Sequence, residues 1–145
     1  MGIKLTHDEG AGSYKMSQPR LAAEALAVVG IPTSAASSAA VPLQPSLRLT
    51  KLGGQALSAE QGELYRTTVG KLMYLVMGSR PDLAHSVGQL ARYMSAPTQE
   101  HWGALKSVLR YVAGTLDLGV VYTRDGGELL GYSDSDYAAD GPVHG

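Results

Sequence analysis

Apolar residues recur at helical spacing in three stretches of the middle of the chain. Ser58, followed three residues later by Gln61, is a capping pair that predicts a helix over 59–77. Pro81 suits the first turn of a second helix, over 81–95, and Thr98 suits the cap of a third, over 99–113. The pattern predicts a helical bundle over 58–115, with apolar stripes at Leu64, Thr68, Leu72, Leu75 and Val76, at Leu83, Val87, Leu90, Ala91 and Met94, and at Trp102, Leu105, Val108, Leu109 and Val112.

The N-terminal part of the chain alternates apolar and polar residues before a glycine-containing turn. This pattern, centred on Ile3 and Leu5, predicts a β-hairpin over 1–16. Ser17 is the expected N-cap of a helix over 18–29, within a segment 17–31. Residues 32–57 are rich in Ala, Ser and Pro without a period, which predicts a long connection that is partly disordered.

Alternation returns at the C-terminal end. The stretches 118–123 and 129–133 read as two strands around a glycine turn, so a second hairpin is predicted within 116–145. The fold class predicted from these elements is α+β: an N-terminal hairpin, a central helical bundle and a C-terminal hairpin.

Composition narrows the classes of protein that fit. The chain has no cysteine, which excludes disulfides and thiolate metal sites. It has no signal-peptide pattern and no apolar run near the roughly 18 to 20 residues that cross a bilayer. The sequence therefore predicts a soluble, intracellular protein without a membrane partner, and it does not distinguish cytoplasm from nucleus.

Charge is distributed unevenly along a chain whose net charge is −1. Residues 66–114 contain six basic and two acidic residues, a net charge of +4, whereas residues 115–145 carry −5. A basic block beside an acidic tail suits a polyanion surface next to a metal-binding one. Charge alone favours the alternative of solvated helix faces and a polar tail.

Several motifs occur in a fixed order along the chain: YRTTVGKLMYL at 65–75, RPDL at 80–83, RYMS at 92–95, EHW at 100–102, LRYVAGT at 109–115 and GYSDSDYAAD at 131–140. Together they resemble the copia-type retrotransposon polyprotein. The resemblance implies that 1–16 corresponds to the end of the reverse transcriptase palm and 17–31 and 58–115 to its thumb and connection. Residues 116–145 would then be the truncated start of an RNase H domain.

The resemblance also assigns candidate metal ligands. Asp134 corresponds to the first RNase H carboxylate, and Asp136 and Asp140 are weaker candidates. Cleavage of this type uses two Mg²⁺ ions held by several carboxylates from different elements. The adjacent Asp pair of the family's polymerase site is absent from the sequence. The chain alone is therefore expected to be catalytically inactive and to bind no Mg²⁺ stably.

The resemblance also implies a surface that binds nucleic acid. The expected partner is an RNA/DNA or DNA duplex, bound weakly and without sequence preference, and the remainder of the polyprotein is a second possible partner. The candidate contacts are Gly2, Arg66, Lys71, Arg92, Lys106 and Arg110. Helical spacing favours core positions over base stacking for Tyr74, Tyr93, Trp102 and Tyr111. Two alternatives remain open: a retained, non-catalytic interaction module and a decayed remnant without function.

Overall fold

The computed structural model describes residues 2–34, 40–51 and 54–133 of the 145-residue chain. Its elements follow the order predicted for an α+β fold, with a hairpin, a helical centre and a C-terminal strand, and the predicted class is confirmed. In chain order they are β1 (Lys4–Asp8), β2 (Ser13–Ser17), α1 (Pro19–Val29), α2 (Ala59–Gly78), a 3₁₀ turn (Pro81–Leu83), α3 (Ala84–Ala91), α4 (Gln99–Gly114) and β3 (Val120–Thr123).

The boundaries of α2 and α4 lie within one residue of those predicted, because both helices carry local start signals. The Ser58 hydroxyl accepts a hydrogen bond from the Gln61 N–H at 3.1 Å, and Thr98 occupies the N-cap position of α4. The helix predicted over 81–95 is shorter and starts as a 3₁₀ turn. After Ala91 the chain continues in tighter turns, in which the Tyr93 N–H donates to the Leu90 carbonyl.

Ser17 is not the cap of α1, so that prediction is wrong. It is the last residue of β2, where it pairs with Lys4. Gln18 takes the cap position, but its side chain does not cap the helix and instead accepts a hydrogen bond from the Ser79 hydroxyl at 2.9 Å. Pro19 then begins the helix, a position at which its missing N–H costs nothing. Ser17 therefore belongs to the β-sheet, although the local sequence pattern predicts it as the N-cap of the helix.

The sheet has three antiparallel strands in the order β1–β2–β3. β3 pairs with β2 of the N-terminal hairpin, with Met16 opposite Val120, instead of with a following strand. Gly119 permits this approach, since a side chain there would collide with the Met16 carbonyl oxygen. Residues 129–133 form no strand, so the second strand of the predicted C-terminal hairpin is not found in the described part of the chain.

The core lies among the four helices. α1 packs on α2 and α4, and α3 packs on α2 and α4. The Tyr65 hydroxyl, fully buried in α2, donates to the Leu90 carbonyl of α3 at 2.7 Å. Among the described residues, the fully buried Leu and Val side chains are Leu26, Val69, Leu72, Leu75, Leu83, Leu90, Leu105, Val108, Leu109 and Val112. None of the helices in the described ranges combines the length and apolar character needed to cross a membrane.

The last residues of the predicted connection are fixed on the start of α4. Ala56 forms a β-bridge with Thr98, the Leu57 N–H donates to the Pro97 carbonyl at 3.2 Å, and the Gln99 N–H donates to the Gln55 carbonyl at 2.9 Å. Residues 55–57 therefore run alongside the link between α3 and α4, although no periodicity in the sequence marks them.

Candidate nucleic-acid interface

Arg80, the first residue of the RPDL motif, is buried with 2% of its surface exposed. Its guanidinium donates to the Thr115 carbonyl at 2.9 Å and to the Thr115 hydroxyl at 2.7 Å, and it forms a two-pronged ion pair with Asp82. It also lies 5.7 Å from the ring centroid of Tyr111. Arg80 thus caps the C-terminal end of α4, where a cation is favourable, and its charge is not presented to a ligand.

The environment of Asp82 favours its charged form. Partial burial alone raises the pKa of this carboxyl, but hydrogen bonds and charge attraction from Arg80, together with the Tyr111 hydroxyl that donates at 3.0 Å, outweigh it. The net effect is a pKa below the ordinary value of an aspartate. Partial burial and the same hydrogen bond raise the pKa of the Tyr111 hydroxyl. Asp82 and Arg80 therefore act as one charged unit across neutral pH.

Asp82→Asn is expected to destabilise the chain less as the pH falls. A carboxyl whose pKa is lowered by folding contributes its full stability above its unfolded pKa, about 4 for an aspartate, and loses that contribution as the pH falls through its folded pKa. Urea unfolding at a series of pH values checks this, with Glu63→Gln on the exposed side of α2 as the control. An effect of Asp82→Asn that is equally large at pH 7 and pH 3 would rule out this ionic role.

His101, the middle residue of the EHW motif, is fully buried and holds the connection in place. The Thr98 backbone N–H donates to its Nδ1 at 2.9 Å, so Nδ1 carries no proton and Nε2 donates to the Thr50 carbonyl at 3.0 Å. Its ring stacks on Tyr93 at 4.0 Å, and the Tyr93 hydroxyl donates to the Leu49 carbonyl at 2.8 Å. His101 thus holds residue 50 on α4, and Tyr93 holds residue 49 on the link before α4.

Two of the predicted contacts, Lys106 and Arg110, share the outer side of α4. They are four residues apart, so they lie about 40° from each other around the helix axis. Arg110 is exposed, and the Lys106 ammonium lies 5.8 Å from the ring centroid of Trp102, which keeps its stem against the core. The two residues therefore lie on the same side of α4, with the Lys106 ammonium over Trp102, one turn towards the start of the helix.

The two predicted contacts on α2 do not form one patch. Arg66 and Lys71 are five residues apart, about 140° around the helix. The Lys71 ammonium lies 3.5 Å from Oε2 of Glu24 on α1, and Oε1 of the same carboxylate lies 3.3 Å from Arg20 Nε. Arg66 is exposed at the other side, with Nη1 3.5 Å from the Met94 carbonyl oxygen. Lys71 is thus partly neutralised, whereas Arg66 keeps most of its donors.

The remaining predicted contacts are dispersed. Arg92 is exposed directly after α3, and Gly2 is exposed before β1, in a shallow cleft next to Arg20 and Leu21. The carboxylates proposed as metal ligands, Asp134, Asp136 and Asp140, lie outside the described residues. Within the described residues no cluster of three or more acidic, His or Cys side chains could hold a metal ion.

The aromatic residues divide into core and surface. Tyr93 and Trp102 are buried, and Tyr111 packs against the core, as predicted. Tyr74 is 58% exposed, so its predicted core position is wrong; it lies with Met73 and Met77 on the outer side of α2. The helical period that assigns Leu72 and Leu75 to the core places Tyr74 away from it.

Lys51 is a candidate contact that the sequence did not predict. This residue lies in the connection, where no motif or period singles it out, yet the structure places it beside Arg66 at a common cleft. Lys51 lies at this cleft because the two residues before it are hydrogen-bonded to Tyr93 and His101. These partners are more than 40 positions away in the sequence, so the sequence pattern does not predict the contact.

Comparison with known proteins identifies the kind of polypeptide that carries these motifs. The chain is homologous to a segment of copia-type retrotransposon Pol polyproteins, so the resemblance seen in the sequence is confirmed. It is 42% identical over 127 residues to the retrovirus-related Pol polyprotein from transposon RE2 of Arabidopsis thaliana, a match that covers 86% of the chain and 8% of the polyprotein.

Two further relatives extend the comparison. The Pol polyprotein from transposon TNT 1-94 of Nicotiana tabacum is 31% identical over 144 residues, or 97% of the chain and 11% of that polyprotein. Secreted RxLR effector protein 161 of Plasmopara viticola is 49% identical over 77 residues, which cover 52% of the chain and 54% of the effector. The chain spans about a tenth of the length of the polyproteins it matches. No protein-family model and no solved structure matches it.

Proposed function

We propose that the chain is the part of a retrotransposon polyprotein that runs from the end of the reverse transcriptase into the start of the RNase H domain. Its helices serve there as a thumb and connection that supports a template–primer duplex. The observation that carries this proposal is the similarity to transposon Pol polyproteins over 86% to 97% of the chain.

The arrangement of charge supports a binding role for the helices. Lys106 and Arg110 project from α4 over a closed core that contains Leu105 and Leu109. A rigid helix with cations on its outer side can contact phosphates at a fixed spacing. Such contacts position a duplex without reading its sequence, because phosphates carry no base information.

Catalysis is not expected from this chain alone. Nucleotidyl transfer by two metals needs clustered carboxylates, and no two Asp residues are adjacent in the sequence. Asp134, Asp136 and Asp140 belong to a different site, that of the RNase H domain, where they would help to hold Mg²⁺, which would stabilise charge at the phosphate being cleaved. A primer-extension assay with template–primer, Mg²⁺ and nucleotides should show no incorporation above a heat-inactivated sample. Incorporation that survives purification to homogeneity would contradict the proposal.

Replacing both Lys106 and Arg110 by alanine is expected to weaken duplex binding. Each cation lost from a phosphate contact reduces the affinity evenly across sequences and makes the salt dependence shallower by about 1. Fluorescence anisotropy with RNA/DNA and DNA duplexes of several sequences measures the effect. Arg20→Ala/Arg124→Ala removes the same charge elsewhere and serves as the control. Equal binding by the two double variants would show that α4 is not the contact surface.

A stand-alone interaction module is the second candidate. The match to half of an RxLR effector favours it, since that relative does not carry the name of a Pol polyprotein. In this case the helices would form a cooperatively folded unit that binds a protein and has no affinity for duplexes. A cooperative unfolding transition together with absent duplex binding at low salt would favour this candidate over the first.

A further inference from the structure

A cleft of about 320 Å³ lies between the first turns of α2 and the link from α3 to α4. Its volume is at the lower end of the range of ligand clefts, about 300 to 1,000 Å³. Lys51 and Arg66 line it, with Ser58 and Gly62 of α2 on one side and Ser95 and Thr98 of the link on the other.

Lys51 is held at the cleft by its neighbours in the chain. The two residues before it, Leu49 and Thr50, offer their carbonyls to Tyr93 and His101, both of which are buried. Residues 55–57, which follow shortly after, pair with residues 97–99. The backbone at Lys51 is thus bracketed on both sides, which limits the region that its ammonium group can reach.

Arg66 reaches the same cleft from α2. Its guanidinium lies over Gly62, where an added Cβ would be 3.5 Å from Nη1 and 3.8 Å from Nη2. A longer side chain at position 62 would compete for this space, so the glycine leaves the guanidinium accessible. The contact with the Met94 carbonyl is long, at 3.5 Å, and uses one of five N–H donors. At least one pair of donors remains for a ligand.

The charges at the cleft have one sign. Two of its lining residues are cationic and none is acidic. The backbone N–H groups of Gln61 and Gly62 at the start of α2 do not bind the anion, because the first donates to the Ser58 hydroxyl and the second to the Ser58 carbonyl. Two cations at one cleft without an acidic partner favour an anion.

We propose that Lys51 and Arg66 hold a phosphate group in this cleft. Arg66 donates two N–H groups to two phosphate oxygens, a geometry that guanidinium matches, and Lys51 supplies a point charge. The source of the phosphate is a phosphodiester of a nucleic-acid strand, and this choice of source rests on the proposed function. The cleft adds a contact on α2 to those on α4.

Titration with inorganic phosphate tests the cleft without reference to nucleic acid. In isotope-labelled protein, amide resonances of residues 56–62 and of Ser95, Ala96 and Thr98 should shift saturably at millimolar phosphate. These shifts should be lost in Lys51→Gln/Arg66→Gln and kept in Lys106→Gln/Arg110→Gln. The two cleft residues are exposed, so unchanged melting curves are expected for the first variant. Absence of saturable shifts in the parent, or their persistence in the cleft variant, would overturn the proposal.

Duplex binding tests the source of the phosphate. Lys51→Gln/Arg66→Gln should bind duplexes about tenfold more weakly, with a salt slope shallower by about 1. Full-strength duplex binding by this variant would overturn the nucleic-acid assignment and leave the contact surface on α4 intact. If the parent chain binds phosphate in the cleft but binds no duplex, the cleft is a phosphate site whose ligand is free phosphate. That result would overturn the proposed function and not the phosphate site.

Discussion

Replacing Arg80 by alanine is expected to lower the free energy of unfolding by about 3 kcal/mol. The substitution removes the cation that Asp82 pairs with and leaves the Thr115 carbonyl at the end of α4 without its donor. It also opens a cavity where a 2%-exposed side chain was packed. Because Asp82 is 35% exposed, water relieves part of the cost of its lost partner, which keeps the effect near the lower end for broken buried pairs.

Urea unfolding followed by far-ultraviolet circular dichroism measures this change. Arg110→Ala removes the same side chain from an exposed position of α4 and is expected to stay within about 0.5 kcal/mol of the parent. Arg80→Lys should recover little, since an ammonium cannot reproduce the paired donors to Asp82 and Thr115. Equal stability of Arg80→Ala and Arg110→Ala would show that Arg80 does not stabilise the end of α4.

His101→Ala is expected to destabilise the chain by a similar amount, about 3 kcal/mol. Its ring supplies an acceptor to the Thr98 N–H and a donor to the Thr50 carbonyl, and it stacks on Tyr93. Without the ring, both backbone groups lose their partner and a cavity remains beside Tyr93. The connection should then separate from α4, because its contacts at residues 49 and 50 depend on this cluster.

Hydrogen exchange distinguishes this local effect from a general loss of stability. Within residues 55–57, the amide of Leu57, which donates to the Pro97 carbonyl, should exchange faster in His101→Ala than the lowered global stability accounts for. His85→Ala, at an exposed position of α3, is the matched control and should change stability by less than about 0.5 kcal/mol. Unaltered exchange of the Leu57 amide would show that His101 does not hold the connection.

The helices could be predicted because their signals are local. Ser58 lies three residues from the amide that it caps, and the apolar stripes of α2 and α4 repeat within the helices themselves. The errors come from contacts that are distant in sequence. Ser17 is taken by pairing with Lys4, and β3 pairs with β2 more than 100 residues earlier in the chain. The pattern of neighbouring residues does not indicate which distant residue a strand will pair with.

The site could be predicted only in part for the same reason. Lys106 and Arg110 are helical neighbours, so their common surface follows from spacing. The cleft of Lys51 and Arg66 depends on hydrogen bonds that join residues 44 and 51 positions apart, at Tyr93 and His101. No property of Lys51 itself distinguishes it from other lysines of the chain.

The motifs turn out to be mostly structural. Arg80, Tyr93 and His101 are buried, and their hydrogen bonds, which include those to Asp82 and Thr115, join elements of the fold to one another. Similarity in these motifs is therefore evidence for a common scaffold. The proposed binding relies instead on outward charges, among them Arg66 and Arg110 of the same motifs, so the function has to be tested at the surface.

The salt dependence of duplex binding tests the central claim most directly. Two or three phosphate contacts, from the cleft and from α4, predict a slope of about −2 to −3 for the logarithm of the affinity against the logarithm of the salt concentration. Anisotropy titrations of the whole chain against RNA/DNA and DNA duplexes give this slope, which should be the same for unrelated sequences. No binding at the lowest salt, or binding that salt does not weaken, would contradict a phosphate-contacting role in a polyprotein of this kind.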